Sequence, residues 1–138
     1  MSQKIFLPIA ISSMIVFSVL QATPVESGQN QTRSEDPVIK YAQTARELLN
    51  HTLAEYKKGN ITGADELATR AYLDNFEYVE FPLIKKKSAD LKEEIEKMMR
   101  EDLRNMIKEK VPFEELNSHV NATDLKLVEA IQILNGTK

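Results

Sequence analysis

Three acidic side chains near the middle of the chain have the types and spacing that could bind a cation. Glu77 and Glu80 are three residues apart, and Asp74 lies three residues before Glu77. On an α-helix, residues at this spacing project from neighbouring turns, so the three carboxylates would form one acidic edge. Carboxylate oxygens are the ligands that hard cations such as calcium, manganese or iron prefer. The pattern therefore makes Glu77, Glu80 and Asp74 candidate metal ligands.

The same carboxylates also fit an ordinary solvated surface. At about 100° per residue, Glu77 points away from the apolar side of its helix and Glu80 lies at the edge of that side. Acidic pairs in such positions usually only face water. A tight metal site would need further carboxylates from another helix, and the candidates are Glu47, Glu94 and Glu101.

Catalytic chemistry finds little support elsewhere in the chain. The sequence has no cysteine, no Gly-x-Ser-x-Gly motif and no glycine-rich phosphate loop. His51 and His119 lie outside His-x-x-Glu and Glu-x-x-His motifs, so we expect structural roles for both. A formal net charge of −3 is a poor match to nucleic acid. We therefore expect a protein that is not an enzyme and does not bind nucleic acid.

The first 22 residues have the pattern of a secretory signal peptide. Lys4 precedes an uncharged run at residues 5–20, and Ala22 provides a small residue for cleavage. The run is near the lower length limit for a membrane span, so an uncleaved anchor at residues 1–22 is the alternative. Residues 23–36 are polar and aperiodic, which predicts a flexible linker. We expect an extracytoplasmic protein that meets a membrane only through this first segment, if it stays uncleaved.

Five Asn-x-Thr sequons among eight Asn residues support export, because chance would give about one. Asn50 falls within a predicted helix, where glycan addition is awkward. We therefore expect a glycoprotein modified at Asn30, Asn60 and Asn135. The alternative is a coincidence of Asn and Thr residues that cap helices.

Beyond the linker, apolar residues recur at spacings of three and four, which predicts helices. The first helix covers residues 37–58, with Asp36 as its N-cap. The second begins at a capping box of Thr62 and Asp65, and Pro82 should halt it.

Two more helical patterns complete the chain. Asp90 and Glu93 are expected to cap the third helix. The fourth pattern extends to Leu134, either as one helix or as two pieces joined near residues 121–123. Four amphipathic helices with short connections predict an all-α domain at residues 37–136, with the arrangement of an antiparallel up-down four-helix bundle.

The second helix carries apolar side chains on two sides. Tyr78 and Phe81 point away from its main core face. A helix of this kind is buried on both sides or meets a partner. Lys85, Lys86 and Lys87 follow, and we expect them to form a solvated basic corner. The residues of the main core face are Ala64, Ala68, Ala71, Tyr72, Phe76 and Val79.

Three stretches of the chain share a family pattern. Residues 53–60 end a helix in a Tyr and a Gly, residues 71–80 read Ala-Tyr-Leu-x-x-Phe-Glu-x-x-Glu, and an Ile-Glu pair follows at Ile95-Glu96. Together they resemble the soluble helical domain of iron permease family proteins. The resemblance covers about residues 40–134.

The resemblance implies a free-standing, extracytoplasmic relative of that accessory domain, which binds iron in support of metal uptake. Glu77 and Glu80 are the matched acidic positions, with Asp74 in support. Its expected partners are a membrane permease or a second copy of the chain. The permeases carry Arg-Glu-x-x-Glu motifs in membrane helices, whereas the similar run that begins at Arg46 ends in Asn50. Transport itself is therefore not implied.

A second hypothesis needs no metal. The chain would then be a non-catalytic structural or protein-interaction module outside the cytoplasm. Residues 71–80 would form the edge that packs against a partner or against a second copy.

Overall fold

A computed structural model describes residues 35–137, and all of their regular structure is helical. No strand occurs in this range, which confirms the all-α class. Four helices follow one another through short connections. Helix α1 is Pro37–Lys57, and α4 is Phe113–Leu134. Helix α2 covers residues 61–85 and consists of Ile61–Ala71, a π-helical turn at Tyr72–Phe76, and Glu77–Lys85. Helix α3 covers residues 89–109 and consists of Ala89–Glu96, a π-helical segment at Lys97–Asp102, and Leu103–Glu109.

The predictions for the amino-terminal segments lie largely outside this range. The signal peptide at residues 1–22, most of the linker at 23–36 and the sequon at Asn30 belong to residues that the structure does not describe. Among the helices that it does describe, none has the length and apolar character needed to cross a membrane.

Helix α1 begins and ends as its sequence predicts, to within one residue. The carboxylate of Asp36 accepts a hydrogen bond from the backbone N–H of Val38 at 3.0 Å, and Pro37 occupies the first helical position. Beyond Lys58 the chain turns at Gly59, whose φ of +84° is a conformation that suits glycine.

The start and end predicted for α2 are both wrong. The N-cap is Asn60 instead of Thr62, because the Asn60 side chain accepts the N–H of Gly63 at 3.0 Å. At the other end, Pro82 lies inside the helix, which continues to Lys85. The residue after the proline, Leu83, is fully buried. Its burial helps to offset the backbone hydrogen bond that a proline removes.

Helices α3 and α4 also differ from the sequence expectation in detail. Asp90 and Glu93 do not cap α3; the N-cap is Ser88, and Asp90 lies in the first turn, where a negative charge favours the helix dipole. Helix α4 is continuous through residues 121–123. There the buried Thr123 donates its hydroxyl to the carbonyl oxygen of His119 at 2.9 Å.

The four helices bury their apolar faces in one shared core. The six residues predicted for the main core face of α2 are all buried, which confirms that prediction. The third helical pattern predicts an apolar face of Leu91, Ile95, Met98, Met99, Leu103, Met106 and Ile107 on α3, and these residues are buried except for Met98 and Met106, which are half-buried. The largest fully buried side chains are Phe76, Leu49, Leu83, Ile95, Met99, Leu103, Ile107, Leu116 and Leu127.

Polar contacts connect the helices at the rim of this core. On α1, Arg46 forms two hydrogen bonds with Asp124 of α4, the shorter at 2.6 Å. The predicted structural role of His119 is confirmed, because its Nε2 lies 2.8 Å from the carbonyl oxygen of Met98. Further contacts between helices or their connections include Tyr56 with the carbonyl of Val111, Arg104 with Asp65 at 3.1 Å, and Lys126 with Glu94 at 3.0 Å.

Candidate functional site

The predicted acidic residues lie at and just after the π-helical turn of α2. Such a turn is wider than an α-helical one and often marks a functional position. Within it, Asn75 is buried and its Nδ2 donates to the carbonyl oxygen of Arg70 at 3.0 Å. The turn places Tyr72 and Phe76 in the core and leaves Glu77 exposed.

The three predicted metal ligands have three different environments. Asp74 forms an exposed ion pair with Arg70 at 3.5 Å, and Glu77 is exposed. Glu80 is half-buried and accepts a hydrogen bond from the hydroxyl of Tyr72 at 3.0 Å. In residues 35–137, no three His, Cys, Asp or Glu side chains lie together as a group that could hold a metal ion. Their role as metal ligands stays a prediction.

A carboxylate from α3 joins Glu80 at the Tyr72 hydroxyl. The Oε1 atom of Glu96 lies 3.5 Å from that hydroxyl oxygen. Glu96 also accepts hydrogen bonds from Lys92 at 2.7 Å and from Arg100 at 3.1 Å. Sequence reasoning did not place Glu96 beside Glu80. We call Tyr72, Glu80, Lys92, Glu96 and Arg100 the carboxylate cluster.

Burial and hydrogen bonding set the protonation of the carboxylate cluster. Burial raises the pKa of Glu80, against the opposing effect of the Tyr72 hydrogen bond. The hydrogen bond from Lys92 lowers the pKa of Glu96. Burial and Glu80 raise the pKa of Tyr72 far above its ordinary value, so its hydroxyl remains a proton donor at neutral pH.

This arrangement is that of a satisfied structural network. Among the described residues, no buried side-chain nitrogen or oxygen lacks a hydrogen-bond partner. Two carboxylates face two cationic side chains and one hydroxyl, so the charges balance within the carboxylate cluster. The network connects α2 to α3 and leaves little unbalanced charge for a ligand.

A row of exposed apolar side chains lies along the last two turns of α2 and the adjoining part of α1. Tyr41 of α1 stacks on Tyr78, with ring centroids 4.7 Å apart and planes 19° apart. Phe81, one turn further along α2, is 62% exposed, and Ile84 is 46% exposed. The ammonium of Lys85 lies 4.5 Å from the centre of the Phe81 ring. We call Tyr41, Tyr78, Phe81 and Ile84 the aromatic strip.

Two surface cavities accompany these features. One of about 220 Å³ adjoins the aromatic strip and is lined by Pro37, Lys40, Tyr41, Thr44 and Asn75. A larger open groove of about 470 Å³ lies between the end of α1 and the start of α2. Among the charged groups that line this groove, Lys58 pairs with Glu55 at 2.9 Å and Arg70 pairs with Asp74 at 3.5 Å.

Comparison of the chain with protein-family models, with curated proteins and with solved structures finds no match. The resemblance to the iron permease accessory domain therefore stays a prediction, and so do the extracytoplasmic location, iron binding and the expected partners.

Proposed function

We propose that this chain is a non-catalytic helical module that works outside the cytoplasm and binds a partner protein through the aromatic strip. The observation that carries the proposal is the exposure of neighbouring aromatic rings. The Tyr41–Tyr78 stack joins α1 to α2, and the largely exposed Phe81 follows Tyr78 about one turn further along α2. Aromatic side chains are enriched in protein interfaces, where they bury a large area with little loss of entropy.

A single exposed apolar residue is ordinary, and α4 provides an example. Leu125 is 71% exposed and has no exposed large apolar neighbour on its helix. The aromatic strip differs, because its residues lie side by side on two packed helices. Contiguous apolar surface of this kind often marks a binding site.

We further propose that the four helices form an antiparallel up-down bundle, which makes the aromatic strip a rigid surface. The support is the order of the contacts between neighbouring helices, because a rising residue number on one helix meets a falling number on the next. The pairs with this order are Arg46–Asp124 then Tyr56–Val111, Asp65–Arg104 then Tyr72–Glu96, and Glu94–Lys126 then Met98–His119.

The test compares two substitutions of exposed apolar residues in the full chain. A tagged protein is produced in its own cells, cross-linked, recovered and analysed by quantitative mass spectrometry. We expect a partner that is retained by Leu125→Ser and reduced about tenfold by the double variant Tyr78→Ser/Phe81→Ser, a loss of about 1.4 kcal/mol. Circular dichroism checks that both variants are folded. If the double variant retains every partner of the wild type, the proposal is wrong.

Cation binding in support of metal uptake is the second candidate. The observation in its favour is that Glu80 and Glu96, from different helices, both approach the Tyr72 hydroxyl. Burial raises the pKa of Glu80, so additional positive charge would be favourable there. Ferrous or ferric iron would then displace the cationic neighbours of Glu96.

Calorimetry separates the two candidates. Ferrous and ferric iron are titrated into the full chain, into Glu77→Gln/Glu80→Gln, and into the exposed control Glu93→Gln. Metal binding predicts heat that the control retains and the double variant loses. Absence of heat, or equal heat in all three proteins, would remove the metal role without touching the proposal of a protein partner.

A further inference from the structure

We infer that the partner of the aromatic strip is a protein segment that presents acidic side chains beside apolar ones. The inference rests on the proposed function and adds the chemistry of the partner. Four lysines lie around the strip. Lys85, Lys86 and Lys87 are exposed at the end of α2, and Lys40 is exposed beside the cavity at Tyr41.

These four lysines lack carboxylate partners among the described residues. Neither Lys40 nor the three lysines at residues 85–87 form an ion pair in residues 35–137. Lysines that do pair with a carboxylate in this range are Lys58 with Glu55, Lys92 with Glu96, Lys97 with Asp102, and Lys126 with Glu94. Lys57, Lys108 and Lys110 form no ion pair there either, but Lys85, Lys86 and Lys87 are the three that are consecutive and adjoin the strip.

The three consecutive lysines therefore make the end of α2 beside Phe81 positive, although the whole chain has a formal net charge of −3. Exposed carboxylates also occur nearby in the chain, at Asp36, Glu77 and Asp90, but none of them forms an ion pair with these lysines. The ammonium of Lys85 lies over the Phe81 ring, so a partner that covers this ring also meets the ammonium. Complementary potentials favour a partner with negative charge.

A second copy of the chain is a poorer occupant. A two-fold interface places the same patch on both sides, which brings lysines towards lysines. Like charges that face each other across an interface cost several kcal/mol. A short acidic and apolar protein segment instead brings carboxylates towards these lysines.

The strip also has the right length for such a segment. From Tyr78 to Ile84, α2 advances about 9 Å, or somewhat less than two turns. The Tyr41 ring extends the surface sideways onto α1. An amphipathic helix of a few turns could place two apolar side chains on this surface and carboxylates at its edge.

The experiment uses three short, fluorescein-labelled amphipathic peptides with identical Leu and Phe positions. Their polar positions carry Glu, Gln or Lys. Binding to the full chain is measured by fluorescence anisotropy at low and at high salt. We expect the Glu peptide to bind about tenfold more tightly than the Gln peptide, the Lys peptide to bind least, and salt to reduce the preference.

Two matched sets of lysine substitutions show which lysines cause the preference for the Glu peptide. Lys85→Gln/Lys86→Gln/Lys87→Gln should abolish the preference for the Glu peptide, whereas Lys108→Gln/Lys110→Gln, at exposed positions of α3 and its end, should retain it. Tyr78→Ser/Phe81→Ser should weaken the binding of the Glu and Gln peptides alike.

Any other result would contradict either the acidic partner or the proposed function. Equal binding of the Glu and Gln peptides overturns the acidic partner and leaves the proposed function standing. Binding that Tyr78→Ser/Phe81→Ser does not weaken contradicts the proposed function as well. If no peptide binds, the inference is wrong. It is also wrong if the chain instead sediments, through Lys85–Lys87, with phosphatidylcholine vesicles that contain phosphatidylserine.

Discussion

Glu80 shows how burial and a hydrogen bond compete at one side chain. The Tyr72 hydroxyl donates to it, which favours the carboxylate, yet burial has the larger effect and raises the pKa of Glu80 above its ordinary value of 4.5. In the interval between 4.5 and the raised pKa, the folded protein binds more protons than the unfolded chain. The contribution of Glu80 to stability therefore falls as pH rises through that interval.

Replacement of Glu80 by Gln should remove this dependence. The amide oxygen can still accept the Tyr72 hydrogen bond, and no charge is buried. We expect the free energy of unfolding of Glu80→Gln, relative to that of the wild type, to be higher at pH 7 than at pH 4. Urea unfolding of both proteins at the two pH values measures the difference.

The control for this prediction is Glu77→Gln, which removes a charge at an exposed position of the same helix. Its effect on the free energy of unfolding should be within about 0.5 kcal/mol at either pH, as for most surface substitutions. A difference between Glu80→Gln and the wild type that is the same at pH 4 and pH 7 would show that Glu80 carries no burial penalty.

Asn60 and Gly63 form a coupled pair at the start of α2. A Cβ atom at Gly63 would lie 2.3 Å from Nδ2 of Asn60, so an alanine there must displace the capping side chain. Loss of the cap costs about 1 kcal/mol, and Ala in place of Gly returns about 1 kcal/mol in helix propensity. Gly63→Ala should therefore change the stability of the wild type little and stabilise Asn60→Ala by about 1 kcal/mol.

Chemical unfolding of the two single variants and the double variant measures this coupling. If the two substitutions change the free energy of unfolding independently, the capping side chain adjusts around the new methyl group. The coupling also includes the second contact of Asn60, the hydrogen bond from its Nδ2 to Glu55 at 2.8 Å, because a Cβ atom at Gly63 would clash with this Nδ2 atom. That contact is lost in both Asn60→Ala backgrounds.

At the scale of the helices, apolar periodicity identifies the core face, and it fails where the helix itself is irregular. The residues from Ala64 to Val79 at spacings of three and four are buried as predicted. Neither π-helical segment could be predicted, because each depends on packing against neighbouring helices. The continuation of α2 beyond Pro82 could not be predicted for the same reason, because helix propensity does not include the burial of Leu83 in the core.

The composition of the carboxylate cluster could not be predicted for a related reason. Glu80 and Glu96 are 16 positions apart, on different helices, and their contact depends on the register of α2 against α3. A π-helical segment within each helix shifts that register. By contrast, the wheel of α2 alone showed that Tyr78 and Phe81 point away from the main core face, although it did not decide whether they are buried on a second side or exposed.

Pro82 gives a prediction at the scale of one helix. Its ring removes the backbone donor that would pair with the carbonyl oxygen four residues earlier, at Tyr78. We expect Pro82→Ala to stabilise the protein by about 1–3 kcal/mol, because alanine restores that donor and has a high helix propensity. Each kcal/mol corresponds to a rise of about 4–8 °C in Tm for a domain of this size. A fall in Tm on thermal unfolding would mean that the proline ring is needed for packing.

At the scale of the whole molecule, the helical unit should fold without the amino-terminal segment. Contacts group Thr32–Lys138 into one compact unit, and all four helices contribute to its core. We expect a fragment of residues 32–138 to unfold in a single transition in urea, with an m-value of about 1–3 kcal/mol/M. Circular dichroism and tyrosine fluorescence should give the same midpoint. Separate midpoints would show that part of the core needs residues 1–31.

The glycans provide a prediction that joins the fold to its expected location. Asn60 and Asn135 are exposed at the ends of helices. The side-chain Oδ1 atom of Asn60 can still accept the N–H of Gly63 and cap α2 if the Nδ2 atom carries a sugar. In the sequons at Asn50 and Asn121, the partner residues Thr52 and Thr123 are buried within helices, and their hydroxyls donate to the preceding turn.

We therefore expect protein secreted from a glycosylating cell to carry sugar at Asn60 and Asn135, with little at Asn50 and Asn121. Mass spectrometry after enzymatic removal of the glycans in heavy-oxygen water reads each site, because a modified Asn becomes a labelled Asp. Asn60→Gln and Asn135→Gln, each expected to lose one glycan, are the controls. The prediction of a glycoprotein would be wrong if every sequon of the secreted chain were bare. Full occupancy of Asn50 and Asn121 would instead mean that the sugar is added before α1 and α4 close around their threonines.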